Sequence, residues 1–179
     1  MEIALEYYNN SLAIRKKFDA YILMSLSYCD IADLFLLNLD FTNAIINYDK
    51  ALNIKLKYFG EVNEEVARIY FNEGFVYEET GNYDHAIENY LKSYEIYKVL
   101  NIEEPILADI LIKIGGCFNN KKDKMNSHYY NKLAMEFLSK IGNKDIELQI
   151  KSLICMASFH LIDEKYDEVL QHCDQIIKK

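Results

Sequence analysis

Apolar residues recur at intervals of three to four along most of the chain, the period that predicts amphipathic helices. One such run ends near Tyr77 and the next begins at Tyr83, with Gly81 and Asn82 between them. Glycine tolerates the positive φ that ends many helices, and an asparagine side chain can accept hydrogen bonds from the free amides of the next helix. The pattern therefore predicts two helices joined by a tight turn, a helical hairpin.

The hairpin pattern repeats along the chain with a nearly constant period. Its small residues stand 42, 42 and 41 positions apart, at Ala32, Gly74, Gly116 and Ala157. In three of the units a second core residue follows 16 positions later, at Tyr48, Tyr90 and Cys173. In the third unit the distance from Gly116 to Tyr130 is only 14, so we expect a turn two residues shorter and a second helix that starts late or packs loosely. Such a period predicts a solenoid of stacked hairpins.

The repeats predict an all-α, right-handed α-solenoid with nine helices, one lone helix followed by four hairpins. The lone helix is expected at 1–18 and the hairpins at 21–60, 62–100, 103–141 and 144–179, all in one domain. Breaks are expected near Lys17, Leu39, Gly60, Gly81, Asn101, Lys121, Gly142 and Asp163. The lone helix aligns with the second helices of the repeats, Tyr8 under Tyr48, so we expect the chain to be a fragment of a longer one; the alternative is a helix that caps the solenoid.

The composition is consistent with helical structure and argues against some classes of binding partner. The 179 residues include one proline and six glycines, too few for the many turns of a sheet protein. A net charge of −8 at pH 7 argues against general affinity for nucleic acid or anionic membranes. No apolar stretch approaches the roughly 20 residues of a membrane span, and the N-terminus lacks the basic lead of a secretory signal. We expect a cytoplasmic protein whose four separated cysteines, Cys29, Cys117, Cys155 and Cys173, are reduced and mostly buried.

The repeated pattern resembles the tetratricopeptide repeat (TPR), in which a bulky, a small and an aromatic residue on the first helix precede a small and a large residue on the second. The motifs here are Tyr70-x-x-Glu73-Gly74-x-x-Tyr77 followed by Ala86-x-x-x-Tyr90, and Tyr28-x-x-Ile31-Ala32-x-x-Phe35 followed by Ala44-x-x-x-Tyr48. The period exceeds the common 34 residues. It is similar to the longer repeats of kinesin light chains and of bacterial peptide-sensing regulators.

The resemblance implies that the first helix of each hairpin lines the inside of a curve, the usual binding surface of such solenoids. Counting from the aligned small residues, we expect a groove for a partner segment. Its residues are predicted to be Arg68, Phe71, Asn72, Phe75, Lys113, Cys117, Asn120, Lys151 and Ile154. The basic members favour a partner that is acidic or carries a free carboxylate; the simpler interpretation is that they are solvated surface charges.

Enzymatic chemistry has little support in the sequence. No histidine or cysteine spacing suggests a metal or cofactor site, and no phosphate-binding loop or catalytic triad is visible. Two functions stay open. The first is a scaffold that binds a protein or peptide segment. The second is the peptide-sensing part of a bacterial regulator that controls an attached DNA-binding or output domain. Oligomers could form through the terminal repeats.

Overall fold

The computed structural model describes residues 2–18, 20–102, 104–141 and 150. All regular elements in these ranges are α-helices, so the predicted all-α class is confirmed. The helices are α1 (Glu2–Lys17), α2 (Tyr21–Leu37), α3 (Phe41–Phe59), α4 (Glu64–Glu79), α5 (Tyr83–Val99), α6 (Glu104–Asn120) and α7 (Lys124–Ile141). The predicted fourth hairpin, with its breaks at Gly142 and Asp163 and with Cys155 and Cys173, lies outside the described residues.

Successive helices pack against one another in the manner of a solenoid. Contacts are most extensive within three pairs, α2 with α3, α4 with α5 and α6 with α7, which are the predicted hairpins. Each pair is joined to the next by a smaller contact, and α1 packs against α2. The least extensive of these contacts lies between α3 and α4. The described chain is therefore a stack of three hairpins preceded by one helix.

The three hairpin turns each contain one residue in the left-handed conformation, and in only one turn does the residue type indicate this. Leu39, Gly81 and Lys122 have φ of 59°, 75° and 62° and occupy equivalent positions. Only Gly81 is a glycine, the residue for which this region carries no steric cost. The helix end predicted at Gly81 is thus correct, and the other two turns adopt the same conformation with residues that sequence patterns do not flag.

Helix capping differs between the turns. Asp40 and Asp123 precede α3 and α7, and each accepts a hydrogen bond from the backbone amide three residues later, at 3.1 and 3.2 Å. Asn82 stands at the equivalent position before α5, but its side chain caps no backbone amide. Its Oδ1 lies 2.9 Å from Nδ1 of His85 instead. The predicted capping role of Asn82 is therefore wrong, because the nearby imidazole competes for its oxygen.

The third hairpin has the same register as the others, shifted by one residue from the predicted one. A Cβ added at Gly74 would lie 2.7 Å from Cδ1 of Tyr90, and one added at Gly115 would lie 2.7 Å from Nδ2 of Asn131. Gly115 and Asn131 are 16 positions apart, as in the other units, whereas a Cβ at Gly116 would meet nothing within 4 Å. The predicted pairing of Gly116 with Tyr130 is therefore wrong.

The turn of the third hairpin is also of normal length. Residues 121–123 separate α6 from α7, and residues 80–82 separate α4 from α5, so each link has three residues. Ser127, fully buried, occupies the place of Ala86, and Asn131, also fully buried, takes that of Tyr90. The predicted shorter turn is wrong for this reason. Because serine and asparagine replace the alanine and tyrosine of the other units, the sequence pattern did not show which residues of the third hairpin are equivalent to theirs.

Candidate functional site

The first helices of the three hairpins, α2, α4 and α6, form a shared surface, which we call the first-helix surface. Contact between α4 and α6 on this surface is direct, because Nζ of Lys113 lies 3.1 Å from Oε2 of Glu78. The same Nζ lies 4.9 Å from the ring centroid of Phe75, within the range of a cation–π contact. Charged and aromatic side chains of successive hairpins therefore meet here.

A buried tyrosine holds the carboxylate at the centre of this surface. The hydroxyl of Tyr90, whose side chain is fully buried, donates a 2.6 Å hydrogen bond to Oε2 of Glu78. Burial and the Glu78 carboxylate together raise the pKa of Tyr90 far above its ordinary value. The hydroxyl thus stays protonated and keeps its donor role. Glu78 accepts from both Tyr90 and Lys113, which fixes the position of its carboxylate.

The first hairpin has a similar arrangement with different residues. Tyr48, equivalent to Tyr90 and also fully buried, donates its hydroxyl proton to Oδ1 of Asp33 on α2. Burial, followed by Asp33, raises the pKa of Tyr48, and the nearby side chain of Asn72 on α4 acts in the opposite direction. Asn72 therefore links the second hairpin to the polar edge of the first. In both hairpins the buried tyrosine of the second helix donates a hydrogen bond to a carboxylate on the first-helix surface.

The predicted groove residues on α4 lie on this surface. Arg68 is exposed, while Phe71, Asn72 and Phe75 are half-buried. The ring of Phe71 packs against that of Tyr90, with centroids 5.4 Å apart. The Arg68 guanidinium has no ion pair or hydrogen bond to any other residue that the structure describes. Arg68 and the exposed parts of the two phenylalanines are accordingly available to a partner.

The predicted residues on α6 are affected by the corrected register. Cys117 is fully buried and aligns with the core residue Val76, so its side chain is not accessible. Lys113 is half-buried beside Glu78, and Asn120 is exposed at the end of α6. Counting from Gly115 instead of Gly116 would have moved each position by one, so that half-buried Gly116 replaces Cys117 and half-buried Asn119 replaces Asn120. The signal that could have found them was the constant spacing of 16. Lys151 and Ile154 lie outside the described residues.

The charge of the surface is mixed rather than basic. Two cations, Arg68 and Lys113, share it with carboxylates, which are Asp30, Asp33, Glu78 and Asp109. Burial, followed by Asp33, raises the pKa of Asp30, and Arg15, followed by Arg68, acts in the opposite direction. Lys113 is already paired with Glu78. Charges of both signs are thus held in fixed positions on the first-helix surface.

A second concavity lies away from these residues, between the α3–α4 turn and α5. It is a pocket of about 370 Å³ lined by Glu61, Val62, Tyr70, Lys92, Glu95, Ile96 and Val99. Nζ of Lys92 lies 5.4 Å from the ring centroid of Tyr70 and 2.7 Å from Oε1 of Glu88. The accessible lining of this pocket is mainly apolar. It offers a contrast to the first-helix surface.

A metal site and a membrane-spanning helix are both absent from the described ranges. No three His, Cys, Asp or Glu side chains in the described ranges come together as metal ligands would. None of the helices described is both long enough and apolar enough to cross a bilayer. Cys29 and Cys117 are buried and form no disulfide with another described residue.

Known proteins resemble this chain both in a sequence-family pattern and in fold. The tetratricopeptide repeat family model matches residues 21–98. A search of curated protein sequences found no significant match. The matched region covers the first two complete hairpins, α2 to α5, which are the two units whose motifs were the clearest in the sequence.

Several solved structures share the fold. BtubC (BKLC) from P. vanneervenii is similar with a TM-score of 0.87 and 16% identity, over 99% of this chain and 72% of that one. The apo form of RapI gives a TM-score of 0.83 and 21% identity, over 96% of this chain and 46% of that one. A putative kinesin light chain of P. anserina with nearly identical TPR-like repeats gives 0.81 and 12%, over 99% and 85%.

At these identities the similarity concerns the fold alone. It confirms the predicted likeness in fold to kinesin light chains and, through RapI, to peptide-sensing regulators. This chain spans less than half of the RapI chain. The helical pairs, the family match and the neighbours agree with one another. The tetratricopeptide repeat family model thus matches residues 21–98, and the described chain folds as an α-solenoid of tetratricopeptide-like helical hairpins.

Proposed function

We propose that the chain is an interaction scaffold that binds a protein or peptide segment along the first-helix surface. The observation that carries the proposal is the cluster around Glu78, in which Tyr90 and Lys113 hold a carboxylate beside the half-exposed ring of Phe75. Polar groups fixed in advance next to apolar surface lower the entropic cost of binding a flexible segment. The family match supports a binding role, and neither it nor the structural neighbours indicate a catalytic family.

The chemistry of the segment is the finer part of the proposal. Arg68 is exposed and suits a carboxylate of the partner, which it could bind with two parallel hydrogen bonds. Lys113 would have to exchange Glu78 for the partner's carboxylate, so its contribution is smaller than the sequence alone predicted. Asn72 both donates and accepts, as recognition of an extended backbone requires. We therefore expect an extended segment with an acidic group near Arg68 and an apolar side chain on Phe71 or Phe75.

Site-specific crosslinking tests which surface is used. A photoreactive amino acid replaces Phe75 on the first-helix surface in one variant and exposed Glu88 on α5 in a matched control. Each variant is irradiated in cell extract, and the crosslinked proteins are identified by mass spectrometry. We expect a specific product from position 75 and none from position 88. Products from position 88 alone would place the partner on the second helices and contradict the proposal.

Titration of the crosslinked partner then tests the charge preference. The Arg68→Ala variant should bind more weakly by about 1–3 kcal/mol, the range of charge-assisted hydrogen bonds. Lys113→Ala should have a smaller effect, and Lys92→Ala, whose charge is paired on α5, should have none. Added salt should weaken binding to the wild type because exposed charges are screened. Equal affinity of wild type and Arg68→Ala would contradict the acidic contact but not the surface.

The alternative function is the peptide-sensing part of a bacterial regulator. The fold similarity to RapI favours it, and the long period of the repeats agrees with either function. The two functions differ in what is attached to the solenoid. Sequencing the complete gene decides between them, because a regulator requires an output domain such as a DNA-binding segment, whereas a scaffold does not.

A further inference from the structure

Glu73 occupies a core position that its neighbours fill with isoleucine. The repeat register aligns Glu73 on α4 with Ile31 on α2 and Ile114 on α6. Glu73 is 5% exposed, close to the 3% of Ile31 and the 0% of Ile114. A carboxyl group is almost never buried to this extent unless it is paired. The fold therefore places an ionisable group where the other two repeats have only hydrocarbon.

The buried carboxyl lacks the partners that would stabilise its charge. Its Oε1 is inaccessible and has no hydrogen-bond partner among the described residues. The charged groups that face it are Asp49 on α3, which repels a carboxylate, and Lys92 on α5, which attracts one. Lys92 is itself bound to Glu88 at 2.7 Å, so its charge is shared. An ionised Glu73 would thus be both desolvated and close to a second carboxylate, which is unfavourable.

The remaining titratable groups around Glu73 do not supply a counter-charge. On its own helix these are the phenols of Tyr70 and Tyr77, whose pKa values are raised, mainly by burial, so that they stay neutral. On α5, His85 lies against Tyr77, with ring centroids 5.2 Å apart. Burial, followed by Asp49, raises the pKa of Glu73 from 4.5 to about 8, with Lys92 acting in the opposite direction.

The position of Glu73 in the solenoid gives its protonation a structural consequence. It lies between Ile69 and Val76 along α4, and these two side chains pack in one cluster with Tyr48 and Ala51 of α3. This α3–α4 contact joins the first hairpin to the second, and it is the least extensive contact between successive helices. A charge on Glu73 would therefore destabilise the α3–α4 contact, which is the joint between the first and second hairpins and the least extensive contact of the described stack.

We propose that Glu73 makes the joint between the first and second hairpins responsive to pH: protonated, it packs as part of the α3–α4 contact, and ionised, it weakens that contact so that the two hairpins separate more readily. The first-helix surface is built from α2 and α4, which lie on opposite sides of this joint. Opening the joint would therefore also change the spacing of Asp33 and Arg68, independently of any ligand.

The direction of the pH dependence follows from proton linkage. Between about pH 4.5 and pH 8 the folded chain keeps a proton on Glu73 that the unfolded chain has lost. Stability contributed by this site is therefore complete below the lower value and is lost as the pH rises through the upper one. While only the folded state binds this proton, each unit of pH should increase the unfolding equilibrium constant by up to tenfold.

The test compares urea unfolding of three proteins from pH 6 to pH 9: wild type, Glu73→Gln and, as a control, Glu79→Gln, which changes an exposed carboxyl on the same helix. We expect the wild type and the control to lose stability along parallel curves. Glu73→Gln should lose less, by up to tenfold in the unfolding constant for each unit of pH below about pH 8, and the three curves should run parallel above it. Parallel curves for all three proteins over the whole range would overturn the proposal.

A second measurement requires no variant and covers the case in which Glu73→Gln does not fold. In wild type labelled with ¹³C at glutamate side chains, the carboxyl signal of Glu73 is followed by NMR from pH 5 to pH 10. Hydrogen exchange at the two ends of this range is compared for α3 and α4 against α6 and α7. We expect Glu73 to titrate near pH 8 and protection to fall first in α3 and α4. Titration of Glu73 in the range of ordinary glutamates, or a uniform loss of protection, would overturn the proposal.

Discussion

The ring of Tyr90 lies directly against the backbone of Gly74, so that a Cβ on Gly74 would come within 2.7 and 2.8 Å of two ring carbons. The two residues belong to the facing helices of the second hairpin, and Tyr90 has no exposed surface. The hydroxyl of Tyr90 donates a hydrogen bond to Glu78 on the first-helix surface. In this hairpin, Tyr90 occupies the space beside Gly74, fills the core and holds the Glu78 carboxylate on the first-helix surface.

The first prediction concerns this contact. Gly74→Ala should destabilise the protein by roughly 1–3 kcal/mol, since the ring is enclosed and the added methyl forces it to move. This loss should exceed the gain in helix propensity of about 1 kcal/mol that alanine brings. Thermal and urea unfolding measure it. An increase in stability would show that Tyr90 does not pack against Gly74.

The adjacent glycines of α6 provide a matched pair for the second prediction. Gly115→Ala should destabilise the protein because its Cβ would lie 2.7–2.9 Å from the amide of the fully buried Asn131. Gly116→Ala should leave stability unchanged or raise it by up to about 1 kcal/mol, because nothing lies within 4 Å of its Cβ. Urea unfolding of the two variants decides the register. The reverse order would support the pairing of Gly116 with Tyr130 that the sequence suggested.

The sequence predicted the hairpins well because their apolar period and their small residues leave a strong pattern. It predicted the register of the third hairpin wrongly because Ser127 and Asn131 replace the alanine and tyrosine that mark the other units. Once the register was displaced by one residue, Cys117 was assigned to the surface although it belongs to the core.

The candidate site was harder to predict than the fold. Arg68 and Phe75 were identified because they lie on one face of a helix, which a period of 3.6 residues determines. The pairing of Lys113 with Glu78 could not be identified in this way, since it joins two hairpins across 35 positions of sequence. Such a contact depends on the angle and distance between stacked units, which a single-chain pattern does not contain.

The third prediction concerns the thiol of Cys29. Burial raises the pKa of this thiol to about 11, and its side chain is 7% exposed. At pH 8 about one thiol in a thousand would be ionised, and the thiolate is the reactive form. In a variant with Cys117 replaced by alanine and Cys155 and Cys173 replaced by serine, Cys29 is the one thiol left, and we expect its labelling by a thiol reagent to be slow in the native protein and fast in urea. Fast native labelling would mean that Cys29 is accessible and that the first hairpin opens readily.

The last prediction concerns the hairpin turns, where three equivalent residues adopt the left-handed conformation and only Gly81 is suited to it. A residue with a Cβ pays roughly 1–2 kcal/mol for this conformation. Leu39→Gly and Lys122→Gly should therefore each stabilise the protein, by less than that amount because glycine loses more backbone entropy on folding. Gly81→Ala is the reciprocal control: a Cβ there would meet nothing within 4 Å, so any loss of stability comes from the backbone alone. Urea midpoints should rise for the first two variants and fall for the third. If replacing Leu39 or Lys122 by glycine lowered the midpoint, contacts of the side chain would outweigh the conformation of the turn.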